Sequence, residues 1–389
     1  MPGNWNSRNT SVSVSHSLSE IPAAHWDALG DGDYPFTRHC FLYGLEQHDC
    51  LEPFGWHPVY FQVHGDRRLL AAIPCYLKTN SYGELVFDHA WVNAYHRHGV
   101  DYYPKLVSAI PYTPATGERF LIHREIVDDD RAFLRELLCQ AVQGFCSDQK
   151  LSSWHILFPE KTILDSLAEN AILARNDVQF HWQNPGYEDF SAFLGALNSR
   201  KRKNIRKERA SVAGQQLDIR MQPGETISAA DWRRIHELYA GIYERKYGTA
   251  TLTPEFFEHL GATMPGRVLA ALAREQGRIV AASLFFRSDS HLYGRVWGCG
   301  RYFHNLHFEC CYYQGIDYCI AEGLECFDPG AQGEHKLSRG FLPTLTWSGH
   351  WIAHPQFREA IADFLDQERR HIRAYRDGLM EHSPYRQVK

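Results

Sequence analysis

The chain has 389 residues, 44% of them hydrophobic and 22% charged, with a formal net charge of −5. That length exceeds one ordinary core and points to two domains, and the mild acidity excludes a protein coated in positive charge while leaving room for a local basic patch. No apolar run approaches the roughly 18 residues of a membrane helix, and the polar start "MPGNWNSRNTSVSVSHS" lacks a secretory signal, so a cytoplasmic protein without a membrane span is expected.

In chain order, "SVSVSHSL" alternates like a strand, and "PAAHWDALG" and "TRHCFLYGLEQHD" have helical spacing. "HPVYFQVHGDRRLLAAIPCYLKT" predicts a hairpin around a Gly-Asp turn. Residues 79–122, rich in Tyr, Pro, Gly and His, predict irregular loops, including "HAWVNAYHRHG". A helix at "DRAFLRELLCQAVQGFCSD" and a buried strand at "SSWHILFPE" follow. The second half repeats the order. It has a strand at "QLDIRMQ", a helix with Trp232, Ile235, Leu238 and Ile242 on one stripe, and a second helix opened by Pro254. Three strands, "RVLAALARE", "GRIVAASLFFRS" and "HLYGRVWGC", precede a helix ended by Gly323, the short strand "ECFDPG", a last strand "TLTWSGHWI" and a charged helix over 355–382. The ten cysteines form no CxxC pair and sit mostly among apolar neighbours, as small core residues do.

This element order resembles that of the GNAT acyltransferase fold, so the expected fold class is α/β with a mixed sheet: two tandem GNAT-like units, 1–175 and 176–389, and a long C-terminal helix. The block from "LYGRVWGCGRYFHN" to "TWSGHWI" resembles the C-terminal signature of the FemAB-like, peptidoglycan biosynthesis/recognition branch of that superfamily. "YYPKLVSAIPYTPATG" at 102–117, "SRKRKNIRKERASV" at 199–212 and "YERKYG" at 243–248 are similar to the same branch. The resemblance implies acyl or aminoacyl transfer to an amine acceptor. It leaves the donor co-substrate as aminoacyl-tRNA or acyl-CoA, with no tightly bound cofactor. An acyl-CoA enzyme normally has a glycine-rich pyrophosphate turn after the fourth strand. Here Gly298 and Gly300 are followed by bulky Tyr302, Phe303, His304 and Leu306, a poor fit.

The basic run 199–209 holds Arg202, Lys203, Arg206, Lys207 and Arg209 against a single acid, Glu208. At helical pitch Arg202, Arg206 and Arg209 share a face, and such a face repels itself unless phosphates, of a tRNA or a diphosphate-linked substrate, neutralise it. The bland alternative is a solvated helix surface.

The stretch "FDPGAQGEHKLSRGF", residues 327–341, follows a strand and carries most side-chain types useful in amine acylation. Such a reaction needs a base for the ammonium proton and donors for the oxyanion. Asp328, Glu334, His335 and, further upstream, Glu309 are the candidate catalytic groups. Gln332, Lys336, Arg339, Arg295 and His307 are candidates for substrate binding, with backbone N–H groups of "RVWGC" as oxyanion donors. His304, His307 and Glu309 have loose metal-ligand spacing, but acyl transfer needs no metal and none is expected. The alternatives are an acyl-CoA-dependent N-acetyltransferase acting on a small metabolite, and a non-catalytic binding module for a wall precursor.

Overall fold

The structure, a computed structural model, describes residues 9–245, 248–331 and 333–386. It groups the chain up to residue 177 with 345–373 as one unit, and 178–344 with the chain from 374 as the other.

In the first unit β1 (Thr10–Ser15), β2 (Trp56–Gly65), β3 (Arg68–Lys78), β4 (Lys105–Ser108) and β6 (Ser153–Leu157) lie in the order β1-β2-β3-β4-β6, and the two-residue β5 (Leu121–Ile122) pairs with β3. β2 and β3 form the expected hairpin, turned by Asp66 and Arg67, both at positive φ. β4 runs parallel to β6. The helix Asp128–Asp148 makes the crossover and buries Leu134, Leu138, Val142 and Cys146 against the sheet. A helix, His89–Arg97, stands where a loop was expected. Its buried Trp91 and Tyr95 are one turn apart, and the polar residues between them hide that short apolar stripe.

Sequence order assigned everything after 175 to the second unit, yet 345–373 returns to the first. The cause is β-pairing: Ser348 to Ile352 lie antiparallel to β6, from Leu157 to Ser153.

The second unit takes the later residues of β7 (Leu173–Gln183), then β8 (Asp218–Pro223), β9 (Val268–Glu275), β10 (Arg278–Arg287), β11 (His291–Cys299) and β12 (Cys326–Asp328), in the order β7-β12-β11-β10-β9-β8. The helices Ala229–Glu244 and Pro254–Thr263 begin at Ser228 and Thr253, whose hydroxyls accept the Asp231 and Phe256 amides. Trp232, Ile235 and Leu238 are buried, as their spacing predicts. The cysteines are free thiols, eight of them buried. Among the described residues no helix is long and apolar enough to cross a membrane.

Candidate active site

The second unit contains a pair of parallel strands that part. β11 and β12 pair only at His291–Tyr293 and Cys326–Asp328; β12 then stops while β11 runs on to Cys299. Gly294 and Gly330 let the turn cross closely. A Cβ on Gly294 would lie 3.2 Å from Pro329 Cα, and one on Gly330 3.1 Å from the Gly294 oxygen. On its other edge β11 carries a bulge. Leu284 faces Val296 and Phe285 faces Gly294, so Arg295 is the extra, bulged residue in the register. Arg295 is half-buried near Tyr243, whose phenol burial pushes up, with Arg295 acting against that shift.

The residues beyond the end of β12 close over this opening. Asp328 is buried; its Oδ1 accepts the Gly330 amide at 2.8 Å and lies 3.7 Å from His181 Nε2 on β7. Lys336 is 2% exposed and donates Nζ to the Gly330 oxygen at 2.6 Å and the Ala331 oxygen at 3.3 Å. Burial pushes its pKa down to about 8, with Asp328 opposing. The turn Glu334–Arg339 follows. Gly333 must be glycine, since its φ is 109° and a Cβ would meet the His335 ring at 2.6 Å.

His335 sits at the exposed lip, with Nε2 2.9 Å from the Tyr312 hydroxyl. Partial burial lowers its pKa, as do the Arg339 and Lys336 charges, while Glu208 raises it. His307 packs edge-on to Trp297 at 5.3 Å and lies 6.4 Å from the His335 ring. Burial, then His335, Arg339 and Lys336, push His307 to about 4, so it is neutral at pH 7. His307, Tyr312 and Phe308 all come from one helix, α-helical at Leu306–Phe308 and Gln314–Glu322 and π-wound at Glu309–Tyr313 between them.

The other candidates are placed differently. Glu309 is buried and already committed: Arg209 donates Nε and Nη2 to it at 3.2 and 3.0 Å, and Gln314 adds a bond at 2.9 Å. Its carboxylate is held by protein groups rather than offered to a substrate. Glu334 is exposed and accepts the Tyr375 hydroxyl. Arg339 is taken by Glu208, so a substrate anion would have to displace that carboxylate. Gln332 lies outside the described residues.

The basic run forms the helix Ser199–Ala213, capped by Asn198 and anchored by buried Ile205 and Val212. Lys203, Arg206 and Lys207 are exposed and Arg202 is half-buried, and none of the four pairs with a described residue. Arg209 does not join them; it turns inward to Glu309 and to Asp317 at 2.7 Å. The inner side also ties the helix to the turn over the opening, through Lys201 to Ser338 at 2.7 Å and Glu208 to Arg339 at 2.8 Å.

Sequence reasoning missed three members of this cluster. His181 lies on a strand whose buried half mixes Gln, His and aromatics, so β7 shows no alternation. Tyr312 reads as core. Glu208 did leave a signal, because a lone acid in a cationic helix implies a partner on its inner side.

The loop from Gly300 to Asn305 buries only Phe303, while Tyr302 stands 82% exposed. Arg301 pairs with Glu275 at 2.7 Å and covers Phe303, and Gln215 takes the His304 oxygen at 2.8 Å. The first unit separately carries a pocket of about 340 Å³ lined by His16, Ser17, Tyr43, Glu46, Asp49 and Glu52, and none of the candidates lines it.

A family model described as peptidoglycan biosynthesis/recognition, FemAB-like, matches residues 17–387. A crystal structure of FemX is similar in fold, with TM-score 0.52 at 10% identity over 90% of this chain and 100% of that one. L-PGS from Bacillus licheniformis gives TM-score 0.47 at 9% identity, over 76% of this chain and 86% of that one. A tandem GNAT protein from the clavulanic acid biosynthesis pathway gives 0.44 at 10% identity, over 89% and 99%. At such identities the likeness to FemX concerns the fold alone, here α/β with a mixed sheet. No curated protein matches the chain.

Proposed function

The chain belongs to the FemAB-like family, and on that premise we propose that it is an N-acyl- or aminoacyltransferase whose transfer site is the opening between β11 and β12. The observation that carries this reading is the convergence there of a neutral imidazole, a buried ammonium and the stretch of β11 beyond its last β12 partner.

The donor carbonyl lies along Val296–Cys299, where no described strand pairs with β11 on its β12 side, so backbone N–H groups meet the developing oxyanion. The acceptor amine attacks the carbonyl carbon: the new C–N bond forms, the ester or thioester bond breaks, and the leaving oxygen or sulfur departs with a proton. The amine proton passes to His335, which hands it to the leaving oxygen or sulfur. Partial burial, then the Arg339 and Lys336 charges, lower the pKa of that imidazole, and the same charges favour the neutral, nucleophilic form of an acceptor amine nearby. Lys336 holds the carbonyls of Gly330 and Ala331, which fixes the turn bearing His335. Asp328 sets the same turn from its other end through the Gly330 amide.

The donor is aminoacyl-tRNA, its phosphates held by Arg202, Lys203, Arg206 and Lys207. Two features support that choice over acyl-CoA: the cations that pair with no described residue, and the bulky Tyr302, Phe303 and Leu306 that follow Gly298 and Gly300 where a glycine-rich pyrophosphate turn would be. The acceptor is an amine on a peptidoglycan precursor, following the family description. The test is to incubate the protein with a soluble precursor peptide bearing a free ε-amine and either radiolabelled aminoacyl-tRNA or radiolabelled acetyl-CoA. Label moving to the peptide only from the tRNA supports the reading. Label moving only from acetyl-CoA replaces it with a CoA-dependent N-acetyltransferase, and none from either favours a binding module.

A further inference from the structure

Glu208 is the one acid within residues 199–209 of an otherwise cationic helix, and its carboxylate does not face solvent cations. It accepts Arg339 Nε at 3.1 Å and Nη2 at 2.8 Å, and the Tyr313 hydroxyl donates to it as well. Arg339 is 7% exposed, and its remaining nitrogen, Nη1, donates to the His335 backbone oxygen at 2.8 Å. Its guanidinium lies 3.5 Å from the centre of the Phe308 ring, which is itself 5.7 Å from the His335 ring. Each nitrogen of this arginine therefore makes a bond, two to Glu208 and one to the main chain of His335. A bidentate carboxylate fixes a guanidinium in plane as well as in place. Without it the cation would be buried beside the imidazole with one carbonyl for company.

We propose that Glu208 is a positioning residue for His335, acting through Arg339. The basic helix thereby holds the turn over the transfer opening with its inner side while its outer side stays free for phosphates. The inference rests on the reading of His335 as proton acceptor, but the contacts that carry it do not.

The groups facing His335 are Arg339 and Lys336 on its own turn, Glu208 from the basic helix, and neutral His307 and the Tyr312 hydroxyl from the π-wound helix. Two cations oppose one anion. Removing the anion leaves Arg339 uncompensated and makes the imidazole harder to protonate. A carboxylate whose charge is not coupled to the imidazole would cost stability and leave that titration where it was.

The experiment is an NMR titration of the full chain labelled at histidine, with the His335 signal identified by its loss in His335→Asn. In Glu208→Gln the His335 midpoint moves to lower pH by roughly half a unit, the scale expected for one charge removed near a partly solvated site. In Arg339→Gln it moves to higher pH. Opposite shifts in the two variants support the proposal, and should Glu208→Gln fail to fold, the upward shift in Arg339→Gln carries the test. An unchanged His335 titration in the folded variants overturns it. Full transfer activity in His335→Asn would instead remove the proton-acceptor reading and leave the Glu208–His335 link standing.

Discussion

Replacing Arg202, Lys203, Arg206 and Lys207 together by Ala gives a sharp test of the outer face of the basic helix. These cations have no partner to lose among the described residues. Arg202 and Arg206, and Lys203 and Lys207, are like-charge pairs one turn apart, which cost a helix a few tenths of a kcal/mol each. The variant should therefore melt at or above the wild-type temperature, so lost binding cannot be blamed on lost folding. If each cation meets one phosphate, each contributes about 0.7–0.9 to the slope of log affinity against log salt. Removing the four should cut that slope by about 3, and a fourfold rise in salt should then weaken the wild type roughly 60-fold more than the variant. Fluorescence anisotropy of labelled tRNA between 50 and 200 mM salt, on the scale of such dependences, reads both quantities. A variant that keeps the wild-type slope, or a wild type that does not bind at low salt, would refute the reasoning.

Three further outcomes follow from buried charge. Arg209→Met strands Glu309, buried on the π-wound turn, and should cost about 3–5 kcal/mol in urea unfolding; a cost under about 1 kcal/mol would mean that Glu309 finds another partner. Lys336 is pushed to about 8 in the folded protein, below its unfolded value. The unfolded chain thus binds the extra proton between that value and about 10.4, and folding stability gains about 1.4 kcal/mol per pH unit there from this group. Lys336→Met should lack that gain, and equal pH slopes in the two proteins would contradict the burial argument. In the first unit His155 and His350 are 1% exposed, share a 2.7 Å contact between Nδ1 atoms, and are held well below the usual histidine range by burial. They charge only on unfolding, so their contribution is intact above pH ~6.5 and is lost as pH falls below it, at about 2.7 kcal/mol per unit for the two. Urea midpoints measured across pH 5 to 7, a window set by that ordinary histidine pKa, would show the fall.

What the chain displays of its fold is whatever repeats over short distances. Trp232, Ile235 and Leu238 recur at helical spacing and mark their helix, and the Asp66 turn marks the β2–β3 hairpin. The family block and the loop after Asp328 were legible for the same reason, being local. What lies far apart in sequence was not. Glu309 looks like a free base until Arg209, 100 residues away, is seen to grip it. Arg209 itself looked like part of the phosphate face, because helical pitch gives an angle and not a partner. β7 hides its alternation by burying Gln179 and His181 beside Phe180 and Trp182. The return of 345–373 to the first unit depends on strand pairing with β6, which no local pattern announces.

The most direct measurement is a single-turnover assay of aminoacyl transfer from charged tRNA to the precursor amine, comparing wild type with His335→Asn at saturating donor. The account predicts a fall in the transfer step of about 10²–10⁴-fold, the usual worth of a positioned acid–base group, with tRNA binding unchanged. A variant that transfers at the wild-type rate would contradict it and move the chemistry away from the lip between β11 and β12.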